Sequence, residues 1–103
     1  MAVSKKIKPV KEFLHKNLGT YLKAKRQESG LTQQEVADKL GYSTAQFISN
    51  FERGLCSPPL NNLKTIIGLY DIAVDEIMDL ILKEQEHILR RALKQPLRKK
   101  KTA

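Results

Sequence analysis

Two short segments, Thr32-Gln33-Gln34-Glu35 and Ser43-Thr44-Ala45-Gln46, each have the spacing of a helix-starting capping box. In the first, Thr32 can accept from the backbone N–H of Glu35 while Glu35 reaches back. Each segment is followed by apolar residues at helical intervals and then by a glycine. Val36, Ala37 and Leu40 precede Gly41, and Ile48 and Phe51 precede Gly54, with Phe47 expected to help the core. This predicts helices at about 32–40 and 44–53. Ala37 is small, which lets the two helices cross closely, and Gly41 permits the sharp turn between them. Val36, Leu40, Ile48 and Phe51 would bind the pair to the rest of the protein. Two short helices so joined form a helix-turn-helix.

The flanking sequence supplies more helices and no strand pattern. Leu18, Tyr21 and Leu22 share one helical face ahead of Gly30, predicting a helix over about 17–29. Ser57-Pro58-Pro59 marks a turn and a fresh helix start, carried on by Leu63, Ile66, Ile67 and Tyr70 to a corner at Asp71 and Ile72. The last helix starts near Val74, where Asp75 and Glu76 suit the positive end of its dipole. Val74, Ile77, Met78, Ile81, Ile88, Leu89 and Ala92 keep helical spacing to about Leu93, with Gln85 interrupting, and Pro96 is expected to end it. The expectation is an all-α, five-helix domain at 17–80. The fifth helix extends over 81–93, and basic arms lie at 1–16 (with an extra helical turn around Val10–His15) and 94–103, the latter disordered.

Length allows one small domain with a thin core, which dimerisation would help to stabilise. The net charge of +8 is unevenly spread: residues 1–16 carry +4, residues 90–103 carry +7, and the span between is −3. Basic arms around a slightly acidic domain suit a polyanion such as nucleic acid, and the bland alternative for each is a solvated end. The most apolar run, Ile77–Leu82, is short and broken by Asp79, so no membrane span is expected. Cys56 has no partner for an internal disulfide, and with His15 and His87 far apart no metal site is expected. No nucleophile–base set, metal cluster or phosphate loop suggests an enzyme or a cofactor. A cytoplasmic protein is expected.

The outward residues of the third helix are Thr44, Ala45, Gln46, Ser49, Asn50 and Arg53. A solvated face would be richer in Glu and Lys. Amides, hydroxyls and small groups are what base edges in a major groove require. Asparagine at position 50 is a poor helix former in mid-helix, away from any cap, which favours a functional role. Gln46 has two readings, the back-reaching half of a box with Ser43 or a contact to base or phosphate. Arg53 can be a phosphate contact or a solvated cation at a helix end.

Residues Gly30 to Ala37 and Ile48 to Gly54, with Arg26, Leu40-Gly41, the prolines and the fourth-helix spacing, resemble the Cro and phage-repressor helix-turn-helix family over about residues 18–80. The resemblance implies a lambda-repressor-like fold that reads double-stranded DNA. It implies a phosphate contact at Gln33, base reading at Ala45, Gln46 and Asn50 with Thr44 and Ser49 beside them, and a buried structural ion pair between Arg26 and Glu52. Two features depart from the family pattern. One extra residue lies between Gly41 and Glu52, and Ala73 stands where the family has a Ser or Thr cap. The function so implied is transcriptional regulation, as a repressor. Ile81, Ile88, Leu89 and Ala92 are more apolar positions than the domain can cover, so the fifth helix is expected to pair with its copy in a homodimer, the alternative being that Val10–Leu14 folds back over it. Alternatives are an antitoxin or restriction-control autoregulator, or a protein–protein adaptor using the long last helix.

Overall fold

The computed structural model describes residues 15–102, with side chains described as far as Lys94. Over these residues the chain forms five helices and no strand: α1 Lys16–Glu28, α2 Gln33–Leu40, α3 Gln46–Glu52, α4 Leu60–Tyr70 and α5 Val74–Thr102. The extra turn expected around Val10–His15 falls mostly outside the described residues.

Helix α2 is bounded as its sequence requires. Thr32 Oγ1 accepts from Glu35 N–H at 3.0 Å, and Thr32 N–H donates to Glu35 Oε1 at 2.8 Å, so the capping box is complete. At the other end Gly41 takes a left-handed conformation (φ 85°), and Tyr42 N–H closes back onto the Ala37 carbonyl at 2.9 Å. Helix α4 ends in the same way, with Asp71 in the left-handed region (φ 55°) and Ile72 N–H donating to Ile67 O at 3.0 Å. Aspartate is one of the few side chains that tolerate this conformation.

The start of α3 departs from the sequence expectation. Ser43 and Gln46 form no capping box. Instead Thr44 Oγ1 accepts from Gln46 N–H at 3.3 Å, and the helix begins at Gln46 behind Ala45. A short hydroxyl side chain bonding two residues ahead is a local competitor of the cap. The Gln46 side chain is thereby free to point along the helix.

The core is Leu18 and Leu22 of α1, Val36 and Ala37 of α2, Ile48 and Phe51 of α3, Ile66 and Tyr70 of α4, Ile72 of the corner and Ile77 of α5. Helix α1 packs directly on α3 because Gly19 has no side chain. A Cβ there would lie 2.5 Å from the Phe51 carbonyl oxygen and 2.6 Å from that of Glu52. Gly54 serves twice: it turns the chain out of α3 with φ 81°, and a Cβ on it would lie 2.8 Å from Lys16 Cα.

Helix α5 differs from expectation in three ways. It stays on the domain past residue 80, since Leu80 and Ile81 pack against the core and Glu84 is buried. Val74, Met78 and Leu89, counted in its apolar stripe, are exposed, as are Leu82 and Leu93. A helix this long carries more apolar positions than a small domain can cover. Pro96 does not end it either: the helix runs to Thr102, so residues 94–102 are helical rather than disordered. Proline removes one backbone hydrogen bond and crowds the preceding turn. The surrounding Leu, Lys, Gln and Arg are strong helix formers that carry the helix across the gap.

Candidate nucleic-acid interface

A buried ion pair ties α1 to the end of α3. Arg26 reaches from the last turn of α1 to Glu52 at the end of α3, with Nε donating to Glu52 Oε2 at 2.6 Å and Nη2 to Oε1 at 3.1 Å. Its Nη1 donates to the Leu31 carbonyl at 2.8 Å, in the loop that leads into α2. Both side chains are buried. The hydrogen bonds to Glu52 raise the Arg26 pKa against the opposing effect of burial. Nearby, burial and then the Glu52 charge push the Tyr70 hydroxyl up to about 12. The Arg26–Glu52 pair implied by the family resemblance is thus present, with a third partner that sequence reasoning missed.

That partner is Gln33. Its Nε2 donates to Glu52 Oε1 at 2.9 Å, so the side chain at the start of α2 is fixed by the same carboxylate. An amide nitrogen carries two hydrogens, and the second remains able to donate. Gln33 is therefore oriented by the ion pair, at a helix N-terminus whose partial positive charge favours an anion.

On α3 the buried side is Ile48, Phe51 and Glu52, which leaves Gln46, Asn50 and Arg53 facing outward. Gln46 and Asn50 are joined: Gln46 Nε2 donates to Asn50 Oδ1 at 3.0 Å. That bond engages the asparagine's oxygen and leaves its amide nitrogen able to donate elsewhere. Ser49 is half-buried on one flank, and Arg53 is exposed just past the helix end. Thr44 is exposed with its hydroxyl engaged by Gln46 N–H, and Ala45 is half-buried at the cap position. The carboxylate of α3, Glu52, is buried against Arg26. The outer face therefore presents amides, a hydroxyl and a cation without an opposing negative charge.

Two further features were not read from the sequence. Phe47, assigned to the core, is instead 48% exposed and stacked on Tyr42, with ring centroids 4.7 Å apart. The Tyr42 hydroxyl accepts from the Asn62 amide of α4. The second is Glu84, which receives the N–H groups of Asn17 at 2.8 Å and Leu18 at 3.3 Å. It caps α1 from α5, where the chain's own neighbour His15 provides no side-chain cap. A signal for this existed: Glu84 stands three residues after Ile81 and four before Ile88, so it shares the stripe whose interruption was assigned to Gln85. A second link between the same helices joins Tyr21 Oη to Glu76 Oε1 at 2.7 Å. Burial, then that bond, raises the Tyr21 hydroxyl well above its ordinary range.

A helix-turn-helix family model matches residues 22–77. The HTH-type transcriptional regulator ImmR of Bacillus subtilis (strain 168) is 35% identical over 72 residues, covering 68% of this chain and 56% of that protein. YobD of the same organism, an uncharacterized HTH-type transcriptional regulator, is 31% identical over 78 residues, covering 76% of this chain and 69% of its own length. The uncharacterized HTH-type transcriptional regulator y4dJ of Sinorhizobium fredii (strain NBRC 101917 / NGR234) is 38% identical over 60 residues, covering 58% and 69%. The chain thus spans little more than half the length of ImmR. No solved structure matches it significantly.

Proposed function

The chain belongs to the helix-turn-helix family, and from that membership we propose that it binds double-stranded DNA sequence-specifically and represses transcription. The observation that carries this reading is the outer face of α3, where Gln46 and Asn50 form an oriented amide pair beside Ser49 and Arg53 and the helix's carboxylate is buried. Amides pair with the donor–acceptor edges of bases in the major groove, and each bidentate pair discriminates by about 1–3 kcal/mol. Gln46 and Asn50 read base edges, with Thr44, Ala45 and Ser49 alongside. Gln33, held by Glu52, and Arg53 hold the phosphate backbone.

The protein acts as a homodimer in the cytoplasm, with α5 of one copy against α5 of the other. Support for this pairing comes from Met78, Leu82, Leu89 and Leu93, which recur at helical spacing and are exposed along α5. Two recognition helices would then meet half-sites about 34 Å apart. The basic residues flanking the span 17–89, itself net −3, supply sequence-independent attraction.

The test is selection of bound duplexes from a random pool, followed by titration of the winner and of a scrambled duplex at several salt concentrations. A shared sequence should emerge, and Asn50→Ala should relax one base position while Gln33→Ala weakens all duplexes alike. If no duplex is enriched, the reading of DNA fails. Equal losses on selected and scrambled duplexes for Asn50→Ala would move that residue to the backbone contacts.

A further inference from the structure

Phe47 is a large apolar side chain on the face where this fold presents polar ones. It follows Gln46 directly in α3 and is nearly half exposed. Successive helical residues are rotated by about 100°, so Phe47 stands about 60° from Asn50 around the helix axis. The two are i,i+3 neighbours on the helix surface. The ring therefore borders the stripe formed by Gln46, Asn50 and Arg53, on the flank opposite Ser49.

The ring is also held. It stacks on Tyr42 with an angle of 25° between planes. Tyr42 packs against the core, and its hydroxyl is bonded by Asn62. One side of Phe47 is thus covered by a fixed partner, while the rest of its apolar surface borders the oriented amide pair. A ring fixed in this way loses little rotamer freedom on contact. An A·T pair suits an apolar surface beside hydrogen-bonding amides. Its major-groove edge carries the thymine C5 methyl next to the adenine donor and acceptor, and phenylalanine is among the side chains that contact that methyl.

We propose that Phe47 is a specificity-determining residue whose ring packs on the C5 methyl of a thymine, beside the base pair read by Gln46 and Asn50. This rests on the reading of α3 as the helix that enters the major groove. It adds a different kind of recognition, one that senses an alkyl group and no hydrogen bond.

Deoxyuridine differs from thymidine by that methyl alone, which makes it the probe. In a duplex selected by the 103-residue chain, each thymine is replaced in turn by uracil and the affinity measured. One position per half-site should lose about fourfold, the worth of one buried methyl group. The preference for thymine over uracil at that position should vanish in Phe47→Ala and persist in part in Phe47→Leu, which keeps an apolar side chain. The methyl scan on the parent protein needs no variant, so the test stands even where Phe47→Ala folds poorly. A selected duplex indifferent to every methyl overturns the inference and leaves the reading of DNA intact. Full retention of the methyl preference in Phe47→Ala overturns it as well. Failure to select any duplex removes the DNA reading and this inference with it.

Discussion

Replacing Glu52 by alanine strands the Arg26 guanidinium inside the protein. In the parent, Arg26 donates two hydrogen bonds to Glu52 and one to the Leu31 carbonyl, while Gln33 adds a further donor to the same carboxylate. The variant keeps only the Leu31 bond among these, and the positive charge stays at a site with little access to water. Removing one member of a buried pair costs about 3–5 kcal/mol, against a total stability of about 5–15 kcal/mol for a small domain. At about 4–8 °C per kcal/mol, the melting temperature should fall by at least ~12 °C. Circular dichroism during thermal and urea unfolding measures this directly. Replacing both partners, as in Arg26→Met with Glu52→Leu, removes the stranded charge and should recover most of the loss. It should not recover the orientation of Gln33. If Glu52→Ala melts within a few degrees of the parent, the pair is not what holds α1 to α3. If the double variant is no better than the single one, the penalty comes from lost packing and not from an unpaired charge.

Glu84→Ala leaves the N–H groups of Asn17 and Leu18 without their acceptor, and the loss of a cap with a charged acceptor should cost about 1–3 kcal/mol in urea unfolding. A parent-like midpoint would show that α5 does not cap α1. Gly19→Ala places a methyl group against two backbone oxygens and should destabilise by about 1–3 kcal/mol, whereas Gly68→Ala meets open space within a helix and should stabilise by about 0.5–1 kcal/mol. Equal effects at the two glycines would refute the close α1–α3 approach. The raised Tyr70 pKa means that the folded state holds that proton while the unfolded chain releases it above about pH 10. Stability should therefore be intact below pH 10 and fall as pH rises toward 12, less steeply in Tyr70→Phe. A melting temperature that is flat through this window would contradict the burial of that hydroxyl. Sedimentation at micromolar concentration should give a dimer for the parent and a monomer for Leu89→Glu, which puts a charge in the exposed stripe of α5. A monomeric parent excludes the dimer.

The all-α class, the bounds of α2 and the stops at Gly41, Gly54 and Asp71 were legible in the sequence, because each depends on residues within about one helical turn of each other. Thr32 and Glu35 form their box wherever the helix goes, and a glycine past the last apolar residue turns the chain whatever lies beyond it. The core stripe of Leu18, Leu22, Val36, Ala37, Ile48 and Phe51 was legible for the same reason, since period alone assigns it to a face. The tertiary structure decided the rest. Thr44 took the hydrogen bond that Ser43 was expected to supply, because two local options of similar energy compete there. Phe47 could fill a core or border a surface, and the position of Tyr42 and α4 put it outside. Glu84 caps α1 by accepting from N–H groups 66–67 residues earlier in the chain, and Gln33 bonds a carboxylate 19 residues ahead. Such partners meet only after the helices have packed, and no short-range pattern encodes the meeting.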